Sequence, residues 1–201
     1  MDWLEFENKA YNEGYNYVCG VDEAGRGPLA GPVCVSAVIL PKNMIIDGVN
    51  DSKKLSEKKR EELFDVIKSK ALAYSIVLVD EKTIDKINIL QATMQGMKQA
   101  VETLSIKPDY VLIDGNRMPD LNIKGETIVK GDAKSISVAS ASILAKVTRD
   151  RFMFEMAKKY PNYQFEKHKG YGTKLHKELL IEYGACEIHR KTFLTKILKE
   201  S

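Results

Sequence analysis

The spacing of hydrophobic positions changes several times along the 201-residue chain, and each change marks an element. Tyr17 to Asp22 alternates, with Val18, Gly20 and Asp22 on one face and Tyr17, Cys19 and Val21 on the other, which predicts a strand. A turn, Gly25-Arg26-Gly27-Pro28, follows. Val33 to Leu40 is apolar on both faces, the pattern of a central strand. Ser56 stands where it can cap a charged helix over Glu57 to Lys70, and Ala73 to Val79 reads as a further buried strand. Leu90, Met94, Met97, Val101 and Leu104 recur at helical spacing and predict a helix over Ile89 to Leu104. Asp109 to Asp114 is a strand ending in an acid, and Leu121 to Val129 alternates more weakly, as a half-exposed strand would. A long helix is expected from Ser135 to about Lys159, its first half rich in alanine and serine and therefore suited to close packing on a sheet. Two more helices are expected over Thr173 to Tyr183 and Arg190 to Lys199.

Strands come early and helices gather late, with a βαβ-like unit between them. The fold class read from this order is α/β: a mixed sheet flanked by helices, with a C-terminal helical extension over about 161–201. No repeat, low-complexity tract or linker breaks the chain, so residues 1–201 are expected to form one domain.

Composition narrows the class without naming it. Hydrophobic residues make up 44%, enough for a full core. Lysine plus arginine (31) barely exceeds aspartate plus glutamate (28), so the distribution of charge carries more than its sum. The first residues lack a cationic stretch followed by an apolar one, so no secretory signal is expected, and the longest apolar run, Val33 to Leu40, is too short to span a bilayer. Cys19, Cys34 and Cys186 follow no metal-ligand spacing, and their neighbourhoods read as buried. They suit a reducing cytoplasm better than a disulfide framework.

Four acids stand out by position. Asp22 and Glu23 close the first strand, Asp114 closes a later one, and Asp132 sits in Lys130-Gly131-Asp132 just before the long helix. Ligands of open α/β sheets gather beyond the carboxyl ends of strands, so Asp22 and Asp114 would share a cleft if their strands run parallel. Singly, each acid is more often a solvated turn former. Together, packed carboxylates repel and tend to take up protons. A divalent cation relieves that cost, and an all-oxygen set suits Mg²⁺ or Mn²⁺. Two such ions can activate a water and stabilise a leaving oxygen in phosphodiester cleavage. Asp22 and Glu23, as neighbours, point to opposite faces of a regular strand, so they share a site only if the strand ends or twists there.

The segment Gly20-Val21-Asp22-Glu23-Ala24-Gly25-Arg26-Gly27-Pro28-Leu29-Ala30-Gly31-Pro32-Val33 resembles the N-terminal signature of the type 2 ribonucleases H. The resemblance continues through Asp51 to Leu55, Ile113 to Asn116, Lys130 to Asp132, Ala139 to Asp150 and His168 to Thr173, in the family's order and over roughly residues 16 to 190. It implies a ribonuclease-H-like fold and a four-acid site for two divalent ions, Mg²⁺ or Mn²⁺, at Asp22, Glu23, Asp114 and Asp132. Aspartate at 132 favours ribonuclease HII over ribonuclease HIII, whose pattern carries glutamate there. The implied substrates are RNA–DNA hybrids and DNA duplexes containing ribonucleotides, cut by a cytoplasmic monomer to leave 3′-hydroxyl and 5′-phosphate ends.

By the same resemblance, Gly25-Arg26-Gly27 is a ribonucleotide-sensing turn. Glycine allows close backbone approach to a sugar whose 2′-hydroxyl both donates and accepts. Tyr171 matches a tyrosine that packs on the next sugar and disfavours a 2′-hydroxyl there, which would make the enzyme a reader of RNA-to-DNA junctions. Lys53, Lys146 and Arg149 fall in matched blocks and are expected to touch phosphate or brace the acids. Residues 158–177 hold six lysines and one acid with Tyr160, Tyr163, Phe165 and Tyr171 interleaved, a pattern shared by nucleic-acid contact and by an ordinary solvated face.

Other readings fit less well. Gly25-x-Gly27-x-x-Ala30 matches a loose dinucleotide fingerprint, but Pro28, Pro32 and a β-branched run follow it where a helix is required. His168, His176 and His189 lack zinc spacing, and the His168 neighbourhood suits substrate contact or turn structure. Three functions stay open: a junction-selective nuclease, a general hybrid-degrading ribonuclease H, and a nucleic-acid-binding module without catalysis.

Overall fold

The computed structural model describes residues 2–195 and 197. Its centre is a five-stranded mixed sheet in the order β3-β2-β1-β4-β5. The strands are β1 (Val18–Ala24), β2 (Val33–Ile39), β3 (Ala73–Val79), β4 (Tyr110–Asp114) and β5 (Lys124–Ile128). β1 runs antiparallel to β2 and parallel to β4, β2 pairs antiparallel with β3, and β4 pairs parallel with β5. The fully apolar run expected of a central strand is β2, whose seven residues are all buried.

The α-helices are α1 (Glu5–Asn12), α2 (Glu57–Lys70), α3 (Glu81–Glu102), α4 (Ile136–Lys159), α5 (Phe165–His168), α6 (Lys174–Tyr183) and α7 (Lys191–Leu194). Helix α3 buries Met97, Ala100 and Val101 against Cys19, Val21, Val111 and Ile113 on one face of the sheet. On the other face lie α4 and α2, which enclose Val38, Ile67, Ile143 and Leu144. Contact between α4 and β1 is unusually close. A Cβ added at Gly20 would lie 2.2 Å from the carbonyl carbon of Ser137, so only glycine fits under the first turn of α4. The buried alanines and serines of α4 (Ser137, Ala139, Ser140, Ala141) give that approach from the helix side.

Four elements depart from expectation. β3, read as a buried strand, is the edge of the sheet, and its Tyr74 and Leu78 are exposed. Helix α1 has no counterpart in the sequence reading. It packs Phe6, Ala10 and Tyr11 on Val18, Tyr110 and Leu112, and its buried Glu7 accepts from the Ser135 hydroxyl (2.6 Å) and the Ser137 amide (3.0 Å) at the start of α4. The helix expected from Ile89 begins earlier, at Glu81, and is broken at Asn88, whose φ is 67°. Asp80 caps the first part through Thr83, and the Asn88 side chain caps the second by accepting from the Gln91 amide. The helix expected over Arg190 to Lys199 is helical at Lys191–Leu194. Its positions 196 and 198–199 lie outside the described residues. Cys19 and Cys34 are buried as expected, whereas Cys186 is only partly so. No helix among the described residues is long and apolar enough to cross a membrane.

Candidate active site

Parallel pairing of β1 with β4 sets the site. Val18 lies opposite Tyr110 and Val21 opposite Ile113. The same register carried one residue further puts Asp22 beside Asp114, both on the α4 face. β1 continues to Ala24, so Glu23 does fall on the opposite face, as strand alternation requires. It nevertheless shares a cleft with Asp114, because β4 stops at Asp114 and leaves the end of β1 without a neighbour on that side; Arg26, Thr93, Asn116 and Arg117 line the same cleft. Asp132 enters from a 3₁₀ turn, Gly131–Ala133, just before α4. That turn is tied to β4 by the Gly131 amide, which donates to Asp114 Oδ1 at 2.6 Å.

The four acids form one electrostatic unit. Burial pushes the Asp22 carboxyl well above the usual range, and the charges of Glu23 and Asp114 push it further. Glu23 is raised by burial and by Asp114, against the pull of Arg26, whose guanidinium lies 3.6 Å away. Asp114 is raised by burial and by Asp132, partly offset by the amides of Gly131 and Asp132. Lys53 is the answering cation. Burial works against its ammonium, but Asp132 and Asp22 raise it overall, and Nζ lies 3.4 Å from Asp132 Oδ2.

These features bear on a metal ion. The donors are all carboxylate oxygens, buried or half-buried; Asp22, Glu23 and Asp114 are inclined to hold protons, and a lysine already lies beside Asp132 as counter-charge. That chemistry fits a hard divalent cation. Among the described residues no three acidic, histidine or cysteine side chains are posed as a closed cage. Their oxygens are turned instead to donors of the protein: the Glu23 amide for Asp22, the Gly131 amide for Asp114 and Lys53 for Asp132.

On the α4 side a second cleft adjoins the first across Glu23 and Arg26, and Gly25, Lys53, Lys146 and Tyr171 line it. Tyr171 is 40% exposed. Lys146 Nζ and the Arg149 guanidinium carbon lie 5.7 and 5.6 Å from its ring centre. Lys146 also pairs with Asp150 at 2.8 Å. Gly25 adopts φ +96°, and a Cβ there would lie 2.0 Å from Arg149 Nε, so glycine is required twice over. Gly27 faces open space.

Arg149 departs from the substrate contact expected of it. It is wholly buried, and its guanidinium donates to the carbonyls of Pro32 (3.0 Å), Ala30 (3.1 Å) and Lys169 (3.0 Å). It therefore joins the loop after the glycine turn to the loop carrying Tyr171. Of the serines in α4, Ser140 bonds back to Ile136 within the helix, while Ser142 meets Ser52 at 2.9 Å and its hydroxyl, near Asp22, eases that carboxylate's charge.

Some contributors had no signal in the sequence. Arg190, fully buried, donates to the carbonyls of Gly31 (2.9 Å), Arg26 (2.9 Å) and Gly25 (2.6 Å), gripping the glycine turn from below. His168, His176 and His189 are buried beneath Tyr171 as a packed group, with the rings of His168 and His176 stacked at 4.3 Å. His168 is thus part of turn structure. Arg117, beyond Asp114, was also passed over.

Comparison with known proteins agrees with this picture. Residues 19–196 match the family model described as Ribonuclease HII. A ribonuclease HII of Caldicellulosiruptor saccharolyticus is 57% identical over 198 residues, covering 98% of this chain and 97% of that one. Among solved structures, ribonuclease H2 from Pyrococcus horikoshii OT3 aligns with a TM-score of 0.77 at 31% identity, covering 92% of this chain and 98% of that chain. Bst-RNase HIII, solved in complex with Mn²⁺, aligns with a TM-score of 0.68 at 18% identity over 92% of this chain and 67% of its own, a likeness of fold.

Proposed function

Because the chain belongs to the ribonuclease HII family, endoribonucleases that hydrolyse the RNA of RNA–DNA hybrids, we propose that it cuts at RNA-to-DNA junctions, including the 5′ side of single ribonucleotides embedded in duplex DNA. One observation carries this reading: the glycine turn held by Arg190 and the ring of Tyr171 line one cleft, and that cleft shares Glu23 and Arg26 with the one that reaches Asp114. The free space at Gly27 and the backbone groups of the turn suit a ribose 2′-hydroxyl. The exposed ring of Tyr171 suits the flat face of a deoxyribose. Against the runner-up, a ribonuclease H without junction selectivity, stands the buried scaffold that ties turn and tyrosine together; hybrid hydrolysis alone does not need it.

Asp22, Glu23, Asp114 and Asp132 would hold two divalent ions, Mg²⁺ or Mn²⁺. Such ions supply Lewis acidity at the scissile phosphate and a nucleophilic water near neutral pH, giving 3′-hydroxyl and 5′-phosphate products. The chain's own groups do the rest. Lys53 offsets acid charge at Asp132 and Asp22, Ser142 eases the charge of Asp22, and Gly131 orients Asp114. Lys146 and Arg26, both at the cleft, are suited to backbone phosphate. A monomer working in the cytoplasm belongs to the same proposal.

The deciding experiment maps cleavage on a DNA duplex carrying one ribonucleotide, with Mg²⁺ and with chelator, beside a uniform RNA–DNA hybrid. A single cut 5′ of the ribonucleotide, lost with chelator and lost in Asp22→Asn, is expected. Cleavage of the hybrid alone would favour the runner-up, and comparable cutting by Asp22→Asn would end the assignment of the acids.

A further inference from the structure

Beneath Tyr171 the hydrogen bonds among buried histidines admit one arrangement of protons. The Cys186 amide donates to His189 Nδ1 at 2.9 Å, so that nitrogen accepts and the ring proton sits on Nε2. His189 Nε2 lies 3.0 Å from His176 Nε2, which must then accept. His176 is left with its proton on Nδ1, 3.0 Å from the carbonyl oxygen of Tyr171, which can only accept. The two ends of the chain agree without reference to each other. Ring burial is complete or nearly so, at 0% exposure for His176 and 2% for His189.

This short relay joins both halves of the cleft. At one end His176 holds the backbone of Tyr171. At the other, His189 is bridged to Ala30 and is followed by Arg190, whose amide donates to Leu29 and whose guanidinium grips Gly25, Arg26 and Gly31. The 25–27 turn and Tyr171 belong to segments about 145 residues apart in the chain, which Arg149 and the Leu29 amide, donating to the Gly170 carbonyl, also tie together.

We propose that His176 and His189 are positioning residues for junction discrimination: the His189 donor fixes His176 in the tautomer whose Nδ1–H holds the Tyr171 carbonyl, a role an asparagine amide at 176 fills without help, and that hold sets how far Tyr171 stands from the Gly25–Gly27 turn. The inference rests on the reading of Tyr171 and the turn as the junction reader. Neither histidine lines the clefts beside the acids, so hydrolysis itself does not use them.

Two near-isosteric changes separate positioning from mere packing. His176→Asn keeps an amide donor near the place of Nδ1 and loses the contact with His189. His176→Gln keeps a group near Nε2 and loses the donor to Tyr171. Each leaves one buried partner unmet, so a structural role predicts equal effects. The measurement is the ratio of cleavage rates on the single-ribonucleotide duplex and on a uniform hybrid, with urea midpoints recorded for each variant and Tyr171→Ala as reference. A misplacement of ~1 Å can cost ~10²-fold in rate, so His176→Gln should lose about tenfold or more of that ratio while His176→Asn stays near wild type. Equal ratios in the two variants overturn the inference. If Tyr171→Ala itself leaves the ratio unchanged, the junction-reader assignment fails instead. Where a His176 variant does not fold, His189→Gln, which keeps the donor toward His176, against His189→Asn, which does not, puts the same question: retention only in His189→Gln supports the inference, and equal loss refutes it.

Discussion

Arg190→Met is the sharpest test of how the glycine turn is held. The side chain has no exposure and supplies three donors to three carbonyls, with those of Gly25 and Gly31 fully buried and that of Arg26 partly so. Leaving a buried acceptor without a partner costs ~1–3 kcal/mol, so the two buried carbonyls alone account for ~2–6 kcal/mol. Part is returned, because burial already works against this guanidinium and lowers its pKa to about 9. A net destabilisation of about 3 kcal/mol follows, equivalent to ~6–12 °C in melting temperature for a chain of this size. Arg190→Lys should recover little, since one ammonium cannot span the fork of three carbonyls. Function should suffer beyond stability: at a temperature where Arg190→Met is fully folded, cutting at a single ribonucleotide should fall more than cutting of a uniform hybrid. Urea unfolding and paired cleavage assays read both effects. A wild-type midpoint, or equal loss on the two substrates, would refute the clamp.

Gly20→Ala sets a Cβ 2.2 Å from the Ser137 backbone. Since neither β1 nor α4 can retreat without disturbing the core, it should destabilise by about 3 kcal/mol or more, checked by urea midpoint. The histidine relay makes stability pH-dependent with a definite sign. Burial and the neighbouring histidines lower His176 to about 4, and burial with His168 lowers His189 to about 4, so between pH 6.5 and 4 the unfolded chain binds more protons and stability falls as pH falls. At ~1.4 kcal/mol per unit, about 3 kcal/mol per histidine is at stake, the pair titrating together across its shared hydrogen bond with His168, Cys186 and the Glu166–Lys169 segment as charged or titratable neighbours. Wild type minus His189→Gln over that pH range isolates the effect from the acids, and a flat difference would contradict it. Asp22→Asn removes a buried carboxylate held beside Glu23 and Asp114, so in chelator it should melt higher than wild type while losing cleavage; a lower melting temperature would mean the carboxylate stabilises the metal-free fold.

Much of the architecture was legible because it is local. β-branched runs announced β2 and β3, Ser56 announced α2 and does accept from the Lys59 amide, and the acids at the ends of β1 and β4 announced the cleft that Glu23 and Asp114 share. What stayed hidden depends on partners far along the chain. Whether β1 and β4 run parallel, which alone brings Asp22 beside Asp114, is a matter of register and topology that neither segment encodes by itself. Glu23 pointed away on simple alternation, and its return to the cleft comes from β4 ending early. Helix α1 was missed because its apolar positions are few and its central glutamate looks solvent-seeking, whereas Glu7 is buried at the head of α4. Arg190 and the three histidines read as ordinary polar residues; their partners lie up to 165 positions away.

The grip of Arg190 has a consequence for synthesis on the ribosome. All four acids have left the exit tunnel, and the sheet that carries them can begin to assemble, well before the arginine that completes the 25–27 turn is made. Closing so long a loop is slow and comes late. On the proposed reading, a nascent polypeptide thus holds the four acids before it holds the turn that would choose where they cut, and the arrival of residue 190 converts one state into the other.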